Sequence, residues 1–299
     1  MAVMSAARLT QLWEKDLTKE FFDEYQRWDQ QALKVFNVTT NDEDHYIKEG
    51  LMASLGSAPS VNDGQAFPFD AYFQGPEKTV LFNEYGMAVQ ATRVMMEDDR
   101  HGIMRQFSRE LGKALNYTVE LQGWDLINSG FGTSRVGLDG KALFSSTHPM
   151  YGPQGGAISN LLTGSLSKVN LQAAIDNFTT LTNERNIPIM ASNKYLLLIH
   201  PKNRWMAEIL NASPYDPDSA GNAVNPVKDF FTYMIVPFFT STTEWALVDK
   251  GMFDLRWIWR RNVKFEPAID FITGNTLWKG HMRALSTFFN WRGVEGSAG

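Results

Sequence analysis

Cysteine is absent from this 299-residue chain. That excludes disulfide staples, thiolate nucleophiles and zinc sites built on Cys, and it suits folding in a reducing compartment. No apolar run approaches the length needed to cross a bilayer, and Met1–Leu12 carries no signal-peptide core. A cytoplasmic product without membrane contact is therefore expected. An excess of positive charge is also missing, since 28 Lys and Arg face 33 Asp and Glu for a net charge of -5. A dedicated nucleic-acid binder needs dense positive charge to neutralise phosphates, so at most weak, local contact with DNA is compatible.

Recognisable catalytic motifs are lacking as well. Gly112-Lys113-Ala114 and Gly140-Lys141-Ala142 miss the hydroxyl of a P-loop. Neither a dinucleotide glycine fingerprint nor a Gly-x-Ser-x-Gly nucleophile elbow occurs. The histidines at 45, 101, 148, 200 and 281 have no metal-ligand spacing. Three clusters carry candidate chemistry. Glu97-Asp98-Asp99 with His101 could hold a divalent cation, although acids at a helix start explain them equally well. Ser145-Ser146-Thr147-His148 sets hydroxyls beside an imidazole, but a base needs a third group to orient it. Trp257 and Trp259 with Arg256, Arg260 and Arg261 could stack bases or sugars, while their alternation favours a buried strand with a charged outer face.

What the chain does have is aromatic mass: 20 Phe, 9 Trp and 9 Tyr. Large rings gather in cores and at permanent interfaces. Leu9, Leu12, Trp13, Leu17, Phe21 and Tyr25 recur at helical spacing, a stripe able to lie on its own body or on a neighbour. From Phe36 to Ser60 the pattern fades into polar residues. A long β-hairpin is then predicted, with Phe67, Phe69, Ala71 and Phe73 alternating, a turn at Gln74–Glu77, and a returning strand over Thr79–Phe82. An isolated hairpin is marginal in water, so it must pack against its own domain or an adjacent subunit. From Arg100 a long helix is predicted, striped by Ile103, Phe107, Leu111, Leu115 and Leu126 and ending near Asn128-Ser129-Gly130. After a Gly-rich connector over 130–164 comes an α/β stretch. It has a helix over Asn170–Arg185, a buried strand at Tyr195–Ile199, a helix after Pro201, a loop over Pro214–Pro226, and strands over Phe231–Phe239 and Trp245–Val248. The tail is strand, including Leu255–Arg260, Phe265–Phe271 and His281–Trp291.

Specific strings carry a resemblance. Tyr85-Gly86-Met87-Ala88-Val89, Thr92-Arg93 and Glu97-Asp98-Asp99 lead into the long helix. They resemble the passage from E-loop to spine helix in the Mu-type major head subunit family of tailed bacteriophages. Asp139-Gly140-Lys141-Ala142-Leu143-Phe144-Ser145-Ser146-Thr147-His148-Pro149, with Gly155-Gly156 and Ser159-Asn160-Leu161 after it, is similar to that family's best-marked string. Phe289-Asn290-Trp291-Arg292-Gly293 resembles its closing strand. The resemblance spans residues 45–293.

It implies an α+β chain with the Hong Kong 97-type capsid fold. Residues 1–57 would be an N-terminal arm, 58–96 an E-loop β-hairpin, and 97–166 a peripheral domain with the spine helix. Residues 167–250 would be an α/β axial domain and 251–299 the closing strands of the peripheral domain. The implied function is a major capsid protein, not an enzyme, without cofactor or metal. Its copies would form the pentamers and hexamers of an icosahedral head around phage double-stranded DNA. It would reside in the virion capsid after assembly in the bacterial host cytoplasm. Implied partners are other copies, a portal protein, any decoration protein, weakly held DNA, and a scaffolding protein that is separate because the chain has no room for a fused one. Inter-subunit contacts are expected at Phe67, Phe69, Phe73, Pro76 and Lys78 of the hairpin and at Trp13 and Phe21 of the arm. The alternatives are an encapsulin-like nanocompartment shell, a cytosolic hydrolase using Ser145 or His148, and a carbohydrate-binding tail component using the Trp-rich strands.

Some members of the family join a Lys to an Asn beneath a carboxylate. Lys78 is placed near the hairpin tip with no identifiable Asn partner, so no cross-link is expected. Boiled particles should migrate in SDS electrophoresis as one band at 33.8 kDa; a covalent ladder would overturn this.

Overall fold

The computed structural model describes residues 6–53, 55–70, 73–98, 102–152, 155–215, 223–270 and 272–299, with 6–14, 53, 96 and 97 described by backbone alone. Helices α1 (Ala6–Arg27) and α2 (Gln31–Val35) lead into strands β1 (Asn37–Thr40), β2 (Tyr46–Ala53), β3 (Phe73–Leu81) and β4 (Asn83–Ala91). A short helix α3 (Arg93–Glu97) and the long α4 (Ile103–Asn128) follow. Strands β5 (His148–Pro149), β6 (Ala157–Ile158) and β7 (Leu161–Leu162) precede α5 (Lys168–Thr180), β8 (Tyr195–Ile199), α6 (Arg204–Ala212), β9 (Phe231–Ile235) and β10 (Trp245–Asp249). The chain closes on β11 (Leu255–Ile269), β12 (Thr276–Phe288) and β13 (Val294–Ser297). The fold is α+β. It divides into one unit of Met1–Tyr46, Leu81–Gly123 and Arg256–Ser286, and another of Ile47–Val80, Trp124–Leu255 and Thr287–Gly299.

In the first unit, residues 103–123 of α4 bury Met104, Leu111, Leu115 and Val119 at helical spacing. Leu17 and Phe21 of α1 and Trp278 of β12 complete this core. Polar residues on the same face of α4 finish the docking. Ser108 Oγ donates to Leu17 O (2.6 Å), and Asn116 Nδ2 donates to Tyr25 O (2.6 Å) and Trp28 O (3.1 Å), which satisfies carbonyls that the end of α1 leaves unpaired. Both carboxylate oxygens of Glu120 accept from Ala32 N–H at 3.2 Å, in the first turn of α2. The sheet of this unit has the order β1-β11-β12-β4. Along β12, Trp278, Gly280, Met282 and Ala284 alternate inward. Trp257 and Trp259 are buried with their rings 5.2 Å apart, so they offer no stacking platform.

The second unit holds a sheet of order β7-β13-β10-β8-β9. Its central strands β8 and β10 are buried along their whole length, hence their uninterrupted apolar sequences. Leu171, Ala174 and Phe178 of α5 and Ala207 and Leu210 of α6 cover the sheet. No helix among the described residues is long and apolar enough to cross a membrane.

Several sequence expectations are corrected. Gln74–Glu77 is not a turn but part of β3, which pairs with β2, while 67–70 is not strand; Ala71 lies outside the described residues. A Gly-Pro step reads locally as a turn, yet Pro76 is tolerated because a two-stranded ribbon leaves edges that need no N–H. The polar stretch 36–60 contains β1 and β2; β1 pairs in parallel with β11, from Asn37↔Arg256 to Thr40↔Trp259. The acids before α4 do not start it: Asp98 caps the end of α3, and the first turn of α4 carries no acid. Asp99, His101 and residues 216–222 of the Pro214–Pro226 loop lie outside the described residues. Helix α5 stops at Thr180 and β9 at Ile235, each short of the predicted end.

A Cβ on Gly112 would lie 2.4 Å from Phe21 O, and one on Gly280 would lie 2.6 Å from Leu115 Cδ1. Glycine is therefore what lets α1 and β12 approach α4. A Gly→Ala change inside a helix ordinarily stabilises by about 0.5–1 kcal/mol. Gly112→Ala should instead destabilise the first unit by about 1–3 kcal/mol through overpacking, read as a lower urea midpoint; a raised midpoint would refute the close approach.

Candidate functional site

The hairpin β2/β3 and the loop joining it present the expected contact residues. Phe67 is 79% exposed, Phe69 is fully exposed at 105%, and Phe73 is 41% exposed. Pro76 is half-buried within β3. Lys78, farther along β3, turns inward. Its ammonium donates to Phe288 O (2.8 Å) and Thr287 Oγ1 (3.1 Å) and lies 5.1 and 5.2 Å from the Phe288 and Phe289 ring centres. Burial pushes its pKa down to about 8, with Arg135 adding to the effect and Asp254 and Asp139 opposing it. Lys78 is thus an anchor of the hairpin to its own chain. Phe21, expected at a contact, is corrected: it is 0% exposed inside the first unit, with no surface left for another subunit. The side chain of Trp13 lies outside the described residues.

A second anchor holds the loop, and sequence reasoning missed it. Asp70 accepts from Arg185 Nη1 with both oxygens (3.0 and 2.9 Å) and from Gly56 N–H (2.8 Å). Arg185 projects from a braced turn, where the Asn183 side chain accepts from Arg185 N–H (2.9 Å) and Ile187 N–H (3.0 Å). Glu184 reaches the opposite way into a buried ion pair with Arg292 (2.9 Å) and accepts from Tyr151 N–H (2.9 Å). Asn-x-x-Asn after a helix is a turn signal, but nothing local links position 185 to position 70.

The hydroxyl–imidazole cluster resolves into a structural hub. His148 is fully buried, its ring stacked 4.1 Å from Trp291, its Nδ1 2.5 Å from Asp139 Oδ2 and its Nε2 3.0 Å from Asn160 Oδ1. Ser145 Oγ accepts from Thr147 N–H (3.2 Å) instead of facing the imidazole. Asn160 Nδ2 donates to Leu143 O (2.7 Å) and Val294 O (2.9 Å), and its Oδ1 also accepts from Ser145 N–H (2.8 Å). The hub ties β13 to the 143–148 segment. Among the described residues, no three His, Asp or Glu gather where they could hold a metal ion.

Two further acids are buried in this unit. Desolvation pushes Glu295 of β13 up to about 8, against a hydrogen bond from Asn177, and Glu244 up to about 7, against one from the Ser241 backbone. Elsewhere α6 leaves Trp205 70% exposed beside Met206 and Ile209, a second apolar surface without cover in the single chain.

The model of the phage capsid protein family matches residues 76–295. Among solved structures, the capsid of cyanophage P-SCSP1u is similar with a TM-score of 0.58 and 12% identity, over 88% of this chain and 86% of that one. The capsid of Ralstonia phage GP4 has a TM-score of 0.56 and 12% identity over 88% and 86%. A virus-like particle from Pyrococcus furiosus has a TM-score of 0.56 and 10% identity over 95% and 99%. At such identities these likenesses establish the fold. No match to this chain is found among curated protein sequences.

The buried groups dictate a pH dependence. Because the folded pKa values of Glu295 and Glu244 lie above the ordinary 4.5, the fold retains protons that the unfolded chain releases, and stability falls as pH rises from 4.5 to about 8. Lys78, lowered from 10.5 to about 8, has the opposite sign and adds stability only above pH 8. Thermal melts of the unassembled subunit should show a minimum near pH 8. Glu295→Gln should relieve a loss on the order of a few kcal/mol; a flat profile for the unsubstituted subunit would contradict the assignment.

Proposed function

The chain belongs to the phage capsid protein family, and on that premise we propose that the exposed loop of the β2/β3 hairpin joins each subunit to its neighbours in an icosahedral head. The protein is a structural capsid subunit, not an enzyme; it self-associates into the shell of the virion. The finer reading is that copies close into pentamers and hexamers around double-stranded DNA, which a subunit of net charge -5 would hold only weakly during filling. Such rings need heterologous contacts, one face of each copy against a different face of the next.

The observation that carries this reading is the exposure of Phe67 and Phe69 in a loop tied down at Asp70. Rings left in water beside an ordered carboxylate mark a contact surface, because apolar area gains by removal from water. We assign the same role to Phe73 and Pro76, and extend it to Trp13 of the arm. The five-segment division (arm 1–57, E-loop 58–96, peripheral 97–166 and 251–299, axial 167–250) is retained as our functional reading. A separate scaffolding protein, a portal protein and a decoration protein are the further partners it entails, with assembly in the host cytoplasm. Each interface can be weak, since every subunit engages several at once.

Replacing Phe67 and Phe69 together by Ser should leave a folded subunit whose stability changes by no more than about 0.5 kcal/mol. Electron micrographs of the purified variant should show no closed shells. Closed shells at unsubstituted yield would remove the hairpin from the assembly interface.

A further inference from the structure

We propose that Asp70 and Arg185 form a positioning pair that sets the direction in which Phe67 and Phe69 are offered to a second copy of this chain. The proposal rests on the reading of the hairpin loop as an inter-subunit contact and adds the residues that aim it.

The geometry is that of a strut. Its foot is the buried ion pair between Arg292 and Glu184, whose side chains are each only 7% exposed. Arg292 Nε also donates to Thr182 O (3.2 Å), so the guanidinium grips both the entry to the turn and its second residue. The turn itself cannot splay. Asn183 N–H donates to Ile187 O (2.9 Å), Asn186 N–H donates to Asn183 O (3.0 Å), and the Asn183 carboxamide oxygen holds two further N–H groups. Arg185 therefore leaves a rigid base, and its side chain is 19% exposed. At the far end Asp70 takes the Nη1 hydrogen bond on one oxygen and shares the other between Nη1 and Gly56 N–H. Gly56 and Asp70 stand near the two ends of the loop. One carboxylate thus closes the loop on itself and fixes it to the body, one residue from Phe69 and three from Phe67.

A single tether would leave the hairpin free to swing. Lys78 of β3 supplies the other, gripping Phe288 O and Thr287 Oγ1 of β12. Two separated attachment points set an axis and a direction, which one cannot. Arg suits the role because its guanidinium is planar and always charged, and here its Nη1 meets both oxygens of Asp70 from a braced turn, whereas a Lys ammonium is a point charge on a flexible stem. A half-exposed ion pair adds little to folding. Its effect is instead on pre-organisation: a loop already aimed loses less freedom when it docks, and each subunit repeats the gain at every contact.

The test uses the full-length subunit with Asp70→Ala, Arg185→Ala and the double substitution, and with Phe67→Ser/Phe69→Ser as the reference for the hairpin itself. Four outcomes are expected together. Thermal midpoints of the unassembled single variants stay at the unsubstituted value. The critical concentration for shell formation, from sedimentation, rises about tenfold for each single variant. The double variant is no worse than either single one, since the two act as a unit. Chymotrypsin cuts after Phe67 and Phe69 several-fold faster in the unassembled variants. Arg185→Lys should recover only part of the assembly. If Asp70→Ala and Arg185→Ala assemble at the unsubstituted concentration while the Phe variant does not, the positioning pair is wrong and the hairpin reading stands. If the Phe variant also assembles normally, the hairpin reading itself fails. Lowered midpoints that account for the whole assembly defect would reduce the pair to an ordinary structural contact and overturn the proposal.

Discussion

The second unit depends on one buried carboxamide. Asn160 is shut off from water, so each of its polar atoms must find a partner in the protein or carry a desolvation cost of about 1–3 kcal/mol. It finds them on the 143–148 segment, on His148 and on β13. By doing so it fixes the last strand of the chain, which pairs with β10 from Trp245↔Ser297 to Val248↔Val294. The residues leading into that strand are then placed as well. Trp291 stacks on His148, Arg292 meets Glu184, and the Phe288 carbonyl receives Lys78. The exposed hairpin stands at the end of this chain of dependence.

A capsid subunit needs a rigid interior behind an unfinished surface, and the charges are distributed accordingly. Inside, Glu184 is matched by Arg292, whereas Glu295 meets a neutral amide and Glu244 a backbone group. Replacing such buried polar groups by apolar ones is often neutral or stabilising. Their presence here goes with defined geometry: Glu184 orients the turn that carries Arg185. Outside, the ion pairs between α1 and α4, such as Arg109 with Glu20, are exposed and worth little individually. The close approach at Gly112 and the buried Phe21 hold the arm helix to its own unit. The arm read from sequence as a reach toward neighbours is therefore anchored to its own unit over residues 17–28.

Much of this was legible in the residues. The helix α4, the continuous apolar runs of β8 and β10 and the alternation of β11 match the structure, because each reflects a local period set by a core. Within the α4 stripe Leu111, Leu115 and Leu126 are buried, whereas Ile103 is exposed and Met104 and Val119 take the inward face. The string from Asp139 to Pro149 was singled out before its role was clear, and in the fold it supplies both His148 and its carboxylate partner. The differences have a common cause. Gly75-Pro76 reads locally as a turn yet lies within β3, β1 and β2 pair with strands that local pattern does not reveal, and Phe21 is buried instead of outward. Each of these depends on a strand or helix distant in sequence, and periodicity carries no information about which element covers which face.

The sequence by itself settled the class of the protein. The ordered strings from Tyr85 to Trp291 carried the resemblance to a capsid subunit, while composition and charge only narrowed the classes it could belong to. Only the tertiary structure decided which rings stay in water and what aims them. Phe21 and Phe67 are the same residue type in similar polar company, yet one is buried and the other exposed. That difference arises because α4 leaves a gap at Gly112 for the first, while Asp70, held by an arginine 115 residues away, keeps the loop of the second at the surface. Burial is a property of the assembled neighbours, and a linear chain does not contain its neighbours.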